Sequence, residues 1–167
     1  MTCIRSLTSL AFSVSLLLLC ISANAAAQGN AELQQLHCVA VDIILTAKSD
    51  SLGLVKQDLT QELIVALKAK VPRLKLAEVC PNRLTLRIRV QDISEAASLN
   101  AMYGHATLGL ERPVIFPQTG AQILVPVWGA GHAYFHGPVG RARPMTIEYL
   151  ERLVTTFAAQ YYEAGNP

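Results

Sequence analysis

The chain has 167 residues, 14 basic against 12 acidic, and a formal net charge of +2. That balance excludes a general nucleic-acid binder, which needs a marked basic excess. Hydrophobic residues make up 51% of the chain, enough for the core of one ordinary domain.

The first elements read as a secretory leader. Arg5 is the only charged residue before Glu32. An apolar run from Leu10 to Ile21 follows it, and small residues from Ser22 to Ala27 follow that. A basic start, a short apolar core and an A-x-A site make a signal peptide over residues 1–27, cut after Ala25 or Ala27. The run is too short to span a bilayer, which takes ~20 residues. Lipidation at Cys20 is the competing reading, and Leu19 stands where that processing needs a small residue. The expected location is therefore periplasmic or secreted, with no membrane span left after the leader.

Cys3 and Cys20 go with the leader, and Cys38 and Cys80 remain. A lone pair in an oxidising compartment predicts a disulfide, since redox pairs favour C-x-x-C spacing. Residues 28–37 are expected to form a mobile lead-in. A single domain is expected over 38–165.

The run Val39 to Thr46 is apolar and β-branched, and predicts a strand buried on both faces. Asp42 inside it reads either as an outward, hydrogen-bonded strand residue or as a site acid. Leu52, Val55, Leu59, Leu63, Leu67 and Val71 recur at helical spacing, and Pro72 ends that helix. Residues 74–79 suggest a short strand. Leu84, Leu86, Ile88 and Val90 alternate with Arg83, Thr85, Arg87 and Arg89, the pattern of a strand with one wet face. A disulfide at Cys38 and Cys80 favours this Arg-striped strand running parallel beside the first strand, with 74–79 marginal or at an edge.

Further strands are expected over 102–111 and 123–128, the latter continued or restarted over 130–136, with a loop marked by Pro113, Pro117 and Gly120. Pro126 suits an edge strand or a bulge. A last helix starts near Pro144, carries the stripe Ile147, Leu150, Val154, Phe157 and Tyr161, and stops at Gly165. The order is β-α-β-β-β-β-β-α. The fold class is α+β: a mainly antiparallel sheet of about five strands with two helices on one face.

Candidate sites are few. Arg83, Arg87 and Arg89 can grip phosphate or carboxylate, or simply form a solvated face. Trp128 and Tyr134 can make an aromatic patch, or cap the core. His132 and His136 share a helix face only if that segment is helical; on a strand they stand ~13 Å apart. His105 and Glu111 complete a metal set only in the right register. No metal or other cofactor is expected, with His105, His132 and His136 as the metal candidates. No G-x-S-x-G, H-E-x-x-H, P-loop or dinucleotide-binding signature occurs.

The strand–helix–sheet–helix order resembles small exported α+β domains of the bacterial envelope, such as the amino-terminal domain of the Tol-Pal propeller protein. That resemblance covers most of residues 38–163 and implies a non-catalytic role built on contacts. The expected function is an exported envelope module, not an enzyme, that binds a protein or an anionic polymer. The alternatives are a small-ligand carrier with a pocket between sheet and helices near Trp128, and a metal-dependent enzyme.

Overall fold

A computed structural model of the chain describes residues 31–46, 52–94 and 100–166. The expected leader, residues 1–27 with Cys20, lies outside the described residues. The architecture is α+β: five strands and two main helices, with sheet order β2-β1-β3-β4-β5. The strands are β1 Cys38–Thr46, β2 Lys75–Leu76, β3 Arg83–Asp92, β4 Met102–Ile115 and β5 Gln122–Gly137. The helices are α1 Lys56–Lys70 and α2 Ala142–Glu163, the latter entered through a 3-10 turn at Val139–Arg141.

β1 runs parallel to both β2 and β3, and the β3-β4-β5 part is antiparallel. The disulfide Cys38–Cys80 explains the start of this order. Its Cα atoms lie 6.2 Å apart, so β1 and β3 begin at the same end. Asn82 reinforces the junction, donating from Nδ2 to the Cys38 carbonyl at 3.3 Å. β2 takes the outer side of β1 for two residues only.

The alternation in β3 sorts the sheet into two faces. Leu84, Leu86, Ile88 and Val90 are fully buried, while Arg83, Arg87 and Arg89 are exposed. The buried set meets Leu59, Leu63 and Leu67 of α1, and Leu150, Val154, Phe157 and Tyr161 of α2, in one apolar cluster. At ~1.5–3 kcal/mol for each large side chain taken from water, this cluster is the main stabilising term. Gly104 belongs to it for a steric reason. A Cβ there would stand 2.1 Å from the Phe135 ring.

Several expectations need correction. Residues 31–37 are not a lead-in apart from the core: Leu33 and Leu36 are fully buried. They are tied down by Arg112, which donates to the Glu32 carboxylate at 2.8 Å, and by Asn166, which donates to the Leu33 carbonyl at 2.6 Å. β1 is buried on one face only, because both helices pack on the same side; Ile44 on the other side is 38% exposed. α1 begins at Lys56, after Gly53 at φ +66°, which leaves Val55 outside the stripe and exposed. Of the two alternatives for 130–136, continuation holds: with 123–128 it forms one strand, β5, bent by two register shifts. β4 continues through Pro113 to Ile115 because it outruns β3 there and pairs only with β5. β5 is the edge strand that tolerates Pro126.

Candidate functional site

The face of the sheet away from the helices carries the unusual chemistry. Pairing register lays it out as rungs across β3, β4 and β5. The first rung is Arg83–Glu111–Pro126, and the second is Thr85–Gly109–Gly129. Then come Arg87–Thr107–His132, Arg89–His105–Tyr134 and Gln91–Tyr103–His136. Rungs on one face lie two residues apart, about 6.6 Å at ~3.3 Å per residue. The three arginines thus form a column on β3, and the rings form a block on β4 and β5.

The register shifts shape the surface. Between Thr107 and Gly109 of β4, β5 supplies one extra residue, a β-bulge with Gly131 at φ +90°. A bulge turns the strand and re-aims its side chains, and only glycine takes that φ without strain. With Gly109 opposite Gly129, the rung has no side chain over two of its three positions. The result is a groove of about 480 Å³ whose walls include Arg87, Thr107, Glu111, Pro126 and His132.

Glu111 sits at one end of the groove, only 8% exposed. It is satisfied there, accepting from Thr85 Oγ1 at 3.1 Å and from the Arg87 guanidinium. Arg87 is therefore partly committed to its own chain. Among the described residues, neither Arg83 nor Arg89 has a carboxylate within 4 Å. Asp42, on the same face of β1, is paired with Lys56 at 3.3 Å.

The ring block is held by its own contacts. His105 Nε2 and His132 Nδ1 lie 2.8 Å apart. With ring centres 5.1 Å apart and planes within 16°, the two nitrogens lie near the line between the rings, so one donates its N–H to the other. Tyr134 lies against His105 at 4.7 Å, and Tyr103 is 6.3 Å from Tyr134. Tyr134 is 58% exposed and Tyr103 40%. Partial burial lowers the His105 pKa below the ordinary histidine value, helped by the neighbouring His132 and then by Arg89. The shift favours the neutral form of His105.

Other predicted residues fall elsewhere. Trp128 is not part of this surface patch with Tyr134. Its indole is buried on the helix side, edge-on to Phe157 at 5.3 Å, and donates to Gln160 Oε1 at 2.8 Å. Trp128 and Tyr134 are six residues apart and would share a face of a regular strand; the extra residue at the bulge between them reverses the alternation and puts them on opposite faces. His132 and His136 lie on a strand and do not meet, whereas His105 and His132 do. Among the described residues no group of three or more His, Cys, Asp or Glu could hold a metal ion. The sequence reading missed the groove itself. Glycines at 109, 129 and 131 were its only signal, and they become a site only through a register that the sequence does not display.

No family model matches the chain, and no curated protein matches it. Among solved structures, a point variant of PelC from Paraburkholderia phytofirmans, a dodecamer, is similar over 77% of this chain and 88% of that one. The identity is 14% and the TM-score 0.41, too distant to bear on function.

Proposed function

We propose that this is an exported, non-catalytic binding module of the cell envelope, and that it engages an anionic partner, polymer or protein, through the open face of its sheet. The observation that carries the reading is the arginine column on a face that the helices leave uncovered, with Arg83 and Arg89 lacking carboxylate partners among the described residues. Guanidinium groups on a rigid strand are preorganised for bidentate contact with carboxylate or phosphate. The disulfide supports export, because such bonds persist in oxidising compartments.

Catalysis has less support. The one buried carboxylate of the groove, Glu111, is already engaged by Thr85 and Arg87. A carrier pocket between sheet and helices is also disfavoured: the Trp128 indole is packed and hydrogen-bonded under α2, and the groove that Trp128 helps to line is walled by Arg87, Thr107 and His132 of the open face. The test is capture of partners from intact envelopes at native expression. Wild type is compared with Arg83→Ser/Arg87→Ser/Arg89→Ser. A dominant partner lost in the variant is expected; full retention of every partner contradicts the reading.

A further inference from the structure

We infer that the occupant of the open face is an acidic polysaccharide, its sugar rings bearing carboxylates, laid along β3 to β5 over the arginine column and the ring block. The inference rests on the binding reading above and names its ligand class.

Charge gives the first half of the argument. Arg83 stands on the first rung and Arg87 and Arg89 on the third and fourth, with Thr85 on the second; Arg83 and Arg89 have no carboxylate within 4 Å among the described residues. Repeated carboxylates along one chain match a repeated cation column. The match needs no large net charge, and the whole chain carries little.

The rings give the second half. Tyr103, Tyr134, His105 and His132 lie within 6.3 Å of a neighbouring ring in the block, on the rungs of Arg89 and of those to either side. Such exposed aromatic surface offers flat apolar area at low entropic cost. The C–H face of a pyranose covers a ring of this kind, while its hydroxyls point outward around the edge. Thr107, the tyrosine hydroxyls and the imidazole nitrogens not engaged in the His105–His132 contact are polar groups of the same face that can meet them. The glycine floor at Gly109 and Gly129 lets a bulky chain approach the sheet closely.

An acidic peptide fits this face less well. A peptide docks on a sheet by adding a strand at an edge, where free N–H and C=O groups await it. On a sheet face the backbone groups are already paired within the sheet. A peptide lying there would bury its own amides without partners, at a cost of about 1–3 kcal/mol for each. A polysaccharide has no such backbone to satisfy.

The probe is polygalacturonate, with dextran as the neutral control and poly-L-glutamate as the acidic-peptide control, in affinity electrophoresis and calorimetry on the full mature protein. Polygalacturonate is expected to bind and dextran not to. Tyr134→Ala should weaken polygalacturonate binding about fivefold or more, and Arg89→Ser about tenfold or more, with Arg89→Lys recovering only part. Both side chains are exposed, so thermal midpoints should not move. Equal binding to poly-L-glutamate, unaffected by Tyr134→Ala, overturns the sugar assignment and leaves a simple anion surface. Failure to bind polygalacturonate, while the arginine variant still loses its envelope partner, also overturns the assignment alone. If the polymer fails and the arginine variant keeps every partner, the binding reading falls with it.

Discussion

The two faces of one sheet obey different rules. On the helix side every second residue of β3 and β4 is buried and apolar, and the neighbours are chosen for fit: Gly104 is small because Phe135 needs its space. On the open side the same strands carry arginine, histidine and tyrosine, and the close contacts are polar or ring-to-ring. Burial accounts for the first face. It does not account for the second, because exposed groups add little to stability. The proposed contact with a partner supplies a reason for the second face that stability does not.

The contrast is sharpest in paired truncations. Phe157→Ala empties a fully buried site against Trp128 and should cost about 3–5 kcal/mol. Tyr134→Ala, an aromatic truncation on the other face, should stay within about 0.5 kcal/mol. Urea unfolding of both variants checks this, and a large loss from Tyr134→Ala would dissolve the distinction between the faces.

Removing the disulfide acts on both faces at once. With its cysteines 42 positions apart in sequence, Cys38→Ser/Cys80→Ser should lose about 4 kcal/mol by chain entropy. Thermal unfolding with and without reductant should give matching values for the reduced wild type and the double variant. A smaller effect, about 1–3 kcal/mol, is expected from Gly104→Ala, which forces Phe135 out of its rotamer. Gly129→Ala on the open face has nothing nearer than 3.8 Å and should lose less.

The smallest effect is a pH dependence. His105 is faced by His132, Tyr134 and Arg89, and its folded pKa lies below the ordinary 6.5. Between the folded value and 6.5 the unfolded chain binds more protons, so stability rises with pH. The contribution is full above pH 6.5 and is lost as pH falls through the folded value. The thermal midpoint of wild type relative to His105→Gln should therefore drop on going from pH 7 to pH 5. A rise would contradict the geometry of the pair.

Much of the fold was legible in the residues. The alternation in β3 marks one wet and one apolar face because strand side chains alternate. The disulfide then places β3 parallel to β1, as observed. The stop at Gly165 and the half-exposed Tyr162 follow from helical spacing. What the residues hid were non-local facts. Leu33 and Leu36 look like a tail because their partners, Tyr161 and Asn166, lie more than 120 residues away. The groove depends on a bulge at Gly131 and on Gly109 meeting Gly129, and register between two Gly-rich strands is weakly specified by pattern. Trp128 and Tyr134 looked like one patch until the bent strand placed them on opposite faces.

The central claim is that contact is made by the open face. It is tested most directly by a photo-crosslinking residue installed in living cells, at Tyr134 on the open face and at Val65 on the outer side of α1, 61% exposed. The account predicts a discrete adduct from position 134 that disappears when Arg83 and Arg89 are changed to Ser, and none from position 65. Adducts from position 65 alone, or equally from both, would contradict it.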